Sequence, residues 1–277
     1  MENEVKKPEY KPVSKSYLPI LFAVIIYVAV MFLFSSFFIL IVLKVLANNN
    51  NLDYSHIVKY ATGVEGEYTD LEKSLYQQAT GYGNFISYFV MLIGVSICMR
   101  KFFVEDIKLT KENKRFYSVY IGVAAIAFVF LTYLCDIIIS FLLQSIGSAT
   151  ESANQSTIVA ILKSNACIPM VISTVIFAPI VEELIYRKAV FEVFNAKRDK
   201  KGLILSYIVS IICFAIPHMI STSTDILTWM IQALSYVISG ALLCVVYHKG
   251  KFNIYTSITA HMLNNLFAVL LVFIQKG

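Results

Sequence analysis

Seven long apolar stretches dominate this sequence and limit what it can fold into. They cover residues 17–43, 83–99, 116–143, 166–181, 203–218, 226–247 and 252–274. A helix needs about 20 mostly apolar residues to cross the hydrocarbon core of a membrane. The first stretch is longer than the apolar part of a signal peptide, and no small-residue cleavage site follows it, so we expect it to remain as a membrane helix. The sequence therefore predicts an all-α, polytopic transmembrane helical bundle of about seven helices.

Composition argues against the common soluble alternatives. Hydrophobic residues make up 58% of the chain and charged residues only 15%, whereas a soluble domain carries about 25% charged residues. The five cysteines lie in apolar runs without a CxxC pair, so we expect small buried side chains rather than a disulfide framework or a zinc site. The net charge of +5 is spread over separate short connections, which does not indicate a nucleic-acid partner.

The distribution of basic residues predicts how the bundle is oriented. Of the 23 lysines and arginines, 18 fall in the N-terminal tail and in the connections after the second, fourth and sixth apolar stretches. Because basic connections favour the cytoplasmic side, we expect a cytoplasmic N-terminus and an external loop at residues 48–82. The Ile-, Lys- and Asn-rich composition favours the cell membrane of a bacterium.

Two adjacent glutamates follow the fourth apolar stretch. An ionisable group inside a membrane helix costs roughly 2.5–3.5 kcal/mol on insertion scales, so each one needs an explanation. Glu183 and Arg187 are one helical turn apart and can form an ion pair. Glu182 points about 100° away and is available for proton chemistry. The alternative is that both glutamates mark the cytoplasmic end of this helix.

Two further polar pairs lie in the fifth and seventh stretches. Phe214 and His218 share one helix face, as do His261 and Asn265. A solvated histidine at a helix end and a hydrogen bond between helices are the ordinary alternatives. Asp136 in the third stretch is expected to be a helix-end residue.

A depth estimate favours convergence of these groups. If the fourth helix runs to Phe194, Glu182 lies about 18 Å from its cytoplasmic end at 1.5 Å per residue. On the same rise His218 lies about 22 Å and His261 about 20 Å from the starts expected for their helices, at residues 203 and 248. We therefore expect Glu182, His218 and His261 to meet in one cavity that opens to the cytoplasmic side.

In this order, the motifs Glu-Glu-x-x-x-Arg, Phe-x-x-x-His and His-x-x-x-Asn resemble the CAAX-protease and bacteriocin-processing family of intramembrane proteases. The resemblance covers about residues 160–275, which divides the chain into N-terminal helices at 1–160 and a catalytic core at 161–277. It implies about eight membrane helices and hydrolysis of a peptide bond in a membrane-associated peptide or protein. The site residues that it implies are Glu182, Glu183, Arg187, His218, His261 and Asn265.

Peptide hydrolysis needs an activated water and donors for the oxyanion. Glu182 with His218 suits the first role, and His261 with Asn265 suits the second. A divalent metal such as zinc, held by Glu182, His218 and His261, is the alternative. The absence of HExxH and the presence of an asparagine favour metal-free hydrolysis.

Two other classes of function remain open. One is a catalytically silent membrane scaffold that regulates a sensor kinase or confers bacteriocin immunity. The other is a transporter or proton channel, which the absence of internal repeats disfavours. The expected partners are a membrane-associated substrate and the lipid bilayer.

Overall fold

The computed structural model describes residues 17–150, 152–220 and 225–274. Four lysines counted in the N-terminal tail, and Lys276, lie outside these residues. The described part of the chain contains helices and no strands, which confirms the all-α prediction. Its nine helices are α1 (Leu18–Asn49), α2 (Tyr54–Ala61), α3 (Asp70–Glu112), α4 (Lys114–Ser145), α5 (Ala153–Leu162), α6 (Cys167–Phe194), α7 (Lys200–Met219), α8 (Ile226–Lys249) and α9 (Ile254–Ile274).

Seven of these helices are long and apolar enough to cross a membrane; α2 and α5 are the exceptions. Large apolar side chains cover the outside of the bundle, and in α4 Ile126, Phe130 and Phe141 are each more than 60% exposed. Such a surface is stable in lipid and not in water. The chain is therefore a multi-pass membrane protein. The apolar helix α5 has only ten residues, so the described residues contain seven candidate membrane helices rather than the eight that the family resemblance implies.

The helices extend well beyond the apolar stretches. Residues 48–82, expected to be a loop, contain α2 and the first turns of α3. A capping box starts α3, because Thr69 accepts from the backbone N–H of Glu72 and the Glu72 carboxylate accepts from that of Thr69. At its other end α3 continues to Glu112 through a charged segment. Hydropathy marks where a helix leaves lipid, not where its hydrogen bonds end.

Helix α6 lies at the centre of the bundle. Half of its apolar window is buried, compared with 11–28% for the other six membrane helices. Two π-helical segments, Ser173–Phe177 and Leu184–Phe191, flank the adjacent glutamates. Pro179 has no N–H to donate to the carbonyl of Val175, which accounts for the wider turn before it.

The turn before α9 lies inside the bundle. The buried Lys188 donates to the carbonyl of Phe252 at 2.9 Å and pairs with Asp106 at 2.7 Å, while the backbone N–H of Ile254 donates to the same Asp106 carboxylate. Lys188 is six residues, or about 9 Å, from the end of α6. Helix α9 therefore begins well below the surface, and not at residue 248 as the depth estimate assumed. His261 still reaches the expected depth because this inward turn replaces the missing helical residues.

Candidate active site

Glu182 lies between a phenol and two imidazoles. The Tyr88 hydroxyl donates to its Oε1 at 2.8 Å. Its Oε2 is 3.9 Å from Nε2 of His218 and 4.0 Å from Nε2 of His261. The Glu182 side chain is 4% exposed, and those of the two histidines are 21% and 8% exposed. The structure thus brings together the three side chains expected to meet, close enough for one water to contact all of them.

Glu183 and Arg187 form the ion pair that their spacing predicts. Nη1 of Arg187 is 2.8 Å from Oε1 of Glu183, and both side chains are fully buried. Nη2 donates to the carbonyl of Gly240 at 3.1 Å, and the guanidinium carbon lies 4.7 Å from the centre of the Phe214 ring. These contacts tie α6 to α7 and α8. The glutamates are therefore not a solvated helix end.

The Glu183 carboxylate also orients His261. Its Oε1 lies 3.1 Å from Nδ1 of the histidine. With Nδ1–H donated to this carboxylate, the neutral ring presents an acceptor at Nε2, so His261 donates to an oxyanion only as imidazolium. The two adjacent glutamates thus contact opposite nitrogens of one ring.

Asn265 and His218 are each held by a second contact. The Asn265 amide donates to the carbonyl of Thr174 at 2.8 Å, which leaves its second N–H for another acceptor. The His218 ring stacks on Tyr236 with centroids 4.9 Å apart and planes 5° apart, and it also contacts Phe214. Both Asn265 and His218 line the same cavity as Glu182.

This cavity has a volume of about 540 Å³. Met31 and Ser35 line it from the middle of α1. The rest of its walls come from residues 84–91 of α3, the second half of α4, the first half of α6, the last two turns of α7, the first two-thirds of α8 and the later part of α9, together with α5 and the segment before it. The regions other than the middle of α1 lie towards the face of the bundle opposite the basic connections after α3, α6 and α8. The described lining thus extends away from the basic face beneath which the opening was expected. The depths were measured from one face, but depth alone does not say from which face a cavity is reached.

Sequence reasoning missed three polar contributors to this cavity. Tyr88 and Tyr236 lie in apolar stretches where a tyrosine carries no signal of its own. Asp136 is not a helix-end residue, because it lies nine residues before the end of α4, where its carboxylate accepts from the Ser235 hydroxyl at 2.8 Å. An ionisable residue within an apolar stretch was the available signal.

The other two histidines lie away from the cavity. His56 contacts Glu72 at 2.6 Å near the start of α3, and His248 contacts the Tyr207 hydroxyl at 3.0 Å near the basic face. Neither belongs to the described cavity wall.

The geometry does not match a zinc site closely. Among the residues that the structure describes, no three His, Cys, Asp or Glu side chains are arranged to hold a metal ion. Ligands at about 2.0–2.1 Å from tetrahedral zinc are about 3.3 Å apart, whereas Oε2 of Glu182 is 3.9 and 4.0 Å from the two imidazole nitrogens.

Fold and cavity together define a multi-pass membrane protein with an enclosed glutamate–histidine site. Residues 164–267 match the family model described as type II CAAX prenyl endopeptidase Rce1-like. This match includes all seven residues of the three motifs and confirms the resemblance over that segment. No solved structure matches the chain.

Two bacterial relatives share part of the sequence. An uncharacterized protein of Mycoplasma capricolum is 31% identical over 172 residues, which cover 60% of this chain and 47% of that protein. The UPF0177 protein YvdC of Lactococcus lactis is 26% identical over 148 residues, which cover 53% of this chain and 51% of that protein. The chain spans about half the length of the curated relatives it matches.

Proposed function

We propose that this protein is an intramembrane peptidase of the CAAX type, which hydrolyses a peptide bond in a membrane-associated peptide or protein. The observation that carries the proposal is the environment of Glu182. One carboxylate oxygen is held by Tyr88, while the other lies 3.9 and 4.0 Å from the imidazole nitrogens of His218 and His261, where one water can bridge them from the side. The family match over residues 164–267 supports the same class of reaction.

In the proposed reaction, a water bridges Glu182 and His218. The carboxylate takes a proton from this water as the water oxygen bonds to the scissile carbonyl carbon, and the carbonyl electron pair moves to its oxygen. Glu182 then gives the proton to the amide nitrogen as the C–N bond breaks. The products are one new carboxyl group and one amine.

The developing oxyanion is stabilised by His261 and Asn265. Glu183 holds Nδ1 of His261, so the ring can donate from Nε2 when both of its nitrogens carry a proton, and Asn265 contributes the amide N–H that Thr174 does not accept. Preorganised donors of this kind are worth about 2.7–4 kcal/mol each in other hydrolases. Glu183 and Arg187 act through His261 and the position of α6, and so are positioning residues rather than reacting groups.

A matched pair of substitutions tests this proposal. Glu182→Gln keeps the shape of the side chain but removes the base, and Glu105→Gln makes the same change at an exposed position of α3. Membrane and secreted peptides of strains that carry each variant at equal protein level are compared by mass spectrometry. We expect at least one peptide end to be lost with Glu182→Gln and retained with Glu105→Gln. Identical peptide ends, together with an unchanged cellular phenotype, would favour the scaffold function instead.

The basic connections support a cytoplasmic N-terminus in a bacterial cell membrane. A reporter fused at the N-terminus, compared with one inserted in residues 62–68, tests this orientation. We expect a reporter that works only in the cytoplasm to be active when it is fused at the N-terminus. A reporter that works only outside the cell should be active when it is inserted in residues 62–68. The reverse result would overturn the orientation but not the peptidase proposal.

A further inference from the structure

Asp136 is a carboxylate that the proposed reaction does not use. It lies in the apolar stretch of α4, and its side chain reaches the wall of the cavity that contains Glu182. Its Oδ1 accepts from Ser235 of α8 at 2.8 Å, which fixes the carboxylate against the wall. An ionised carboxylate inside a membrane helix costs free energy, and such residues usually bind a partner or a ligand.

The cavity lining contains the carboxylates of Glu182 and Asp136, and among the described residues it includes neither lysine nor arginine. The imidazoles of His218 and His261 lie within 4.0 Å of Glu182, so Asp136 is the lining carboxylate that has no ion pair among the described residues. Lys163 lines a smaller neighbouring cavity of about 320 Å³ that also borders Asp136, and within the described chain no ion pair joins the two side chains. Beside Asp136, a substrate segment with a free carboxylate therefore meets like charge, whereas a cationic side chain meets an opposite one.

The rest of the wall suits an extended peptide backbone. Amide and hydroxyl side chains from five helices face the cavity, namely Asn84, Ser140, Gln155, Gln232, Ser239 and Asn264. Such groups both donate and accept, as a backbone without secondary structure requires. The volume of about 540 Å³ lies within the range of about 300–1,000 Å³ that is usual for ligand sites.

We propose that the cavity binds an extended peptide segment that carries lysine or arginine, that this segment arrives from the face opposite the basic connections, and that Asp136 binds the cationic side chain. This inference rests on the proposed peptidase function and adds the substrate class. With the orientation given above, the segment is extracytoplasmic. Electrostatic complementarity of this kind selects between substrates of the same size and shape.

Binding to an inactive variant tests the substrate class without relying on cleavage. The full-length Glu182→Gln chain in detergent is titrated into three fluorescein-labelled nonapeptides of serine and alanine, with lysine, glutamine or glutamate at the centre. We expect the lysine peptide to bind about tenfold more tightly than the glutamate peptide, as a close charge pair provides. Adding Asp136→Asn should reduce this ratio to about twofold or less, whereas adding Glu105→Gln should leave it unchanged. Equal binding of the three peptides, no binding of the lysine peptide, or a preference that survives Asp136→Asn would overturn the inference.

Labelling in whole cells tests the direction of approach. Ser140→Cys places a thiol in the cavity wall, and Lys197→Cys places one in the exposed connection between α6 and α7. A membrane-impermeant maleimide is added to intact cells or to inverted vesicles, and the labelled position is read by peptide mass spectrometry, so that the native cysteines need not be removed. We expect the thiol of the Ser140→Cys variant to react in intact cells and that of the Lys197→Cys variant only in inverted vesicles.

Reaction of both thiols from the same side would overturn the direction of approach. Neither experiment involves catalysis. If the three peptides bind equally but the chain cleaves a substrate in a Glu182-dependent way, the proposed substrate class is refuted and the peptidase proposal stands. If the lysine peptide is preferred but no cleavage is found, the peptidase proposal is refuted and the binding preference stands.

Discussion

Replacement of Arg187 tests most directly how this site is held together. Arg187 and Glu183 are both fully buried, with 2.8 Å between Nη1 and Oε1. Removing one partner of a buried ion pair leaves an uncompensated charge, which typically costs about 3–5 kcal/mol. Arg187→Met fills most of the same volume and also removes the hydrogen bond to the carbonyl of Gly240. We therefore expect Arg187→Met to lower the free energy of unfolding by about 3–5 kcal/mol.

A double variant separates the lost charge from the lost packing. Glu183→Gln in the Arg187→Met chain removes the charge that the single substitution leaves exposed to the apolar interior. Coupling between groups in direct contact is typically about 0.5–3 kcal/mol, so the double variant should recover stability in that range. Its peptidase activity should not recover, because His261 loses the carboxylate that contacts its Nδ1.

Unfolding in mixed detergent micelles of increasing SDS fraction, followed by intrinsic fluorescence, provides the measurement. Arg100→Met is the matched control, since Arg100 is exposed on α3, and it should change stability by less than about 0.5 kcal/mol. The reasoning is refuted if Arg187→Met is as stable as the control, or if the double variant is less stable than Arg187→Met alone.

Three further predictions concern the reaction, each measured as kcat/KM on a peptide cleaved by the wild-type chain. Tyr88→Phe removes the hydroxyl that donates to Glu182, and since a hydrogen bond to a charged group is worth about 1.5–3 kcal/mol, activity should fall by about tenfold to 150-fold; activity within twofold of wild type would exclude this role. Asn265→Ala should lose about 2.7–4 kcal/mol of transition-state stabilisation, and a change confined to KM would contradict it. Prolonged dialysis against a chelator should leave activity unchanged, with no stoichiometric zinc by elemental analysis, whereas a loss that added zinc restores would favour the metal-dependent alternative.

The sequence was informative wherever local spacing determines a contact. The pairing of Glu183 with Arg187 follows from one turn of helix, and the divergence of Glu182 follows from the next residue along the same helix. The meeting of Glu182, His218 and His261 was also predicted, although one helix start in the depth estimate was wrong. The catalytic roles of these residues stay predictions.

The remainder could not be predicted because it depends on contacts between distant segments. Tyr88 hydrogen-bonds to a residue 94 positions away, and nothing in its own stretch distinguishes it from a lipid-facing tyrosine. The turn before α9 is held inside the bundle by residues far away in sequence, among them Lys188 and Asp106. The face from which the cavity is reached depends on how widely the helices are separated at each end of the bundle. Hydropathy does not encode this separation.

Helix α3 has a consequence for how this protein is assembled. The division at residue 160 follows the motifs, but α3 supplies both the phenol on Glu182 and the carboxylate on Lys188. A fragment that begins at residue 161 would insert with Lys188 facing an apolar interior and Glu182 lacking its donor. We therefore expect the segment that carries the motifs to form its site only after the earlier helices are in place. Fusing this segment to another membrane anchor would transfer the motifs but not the contacts that complete the site.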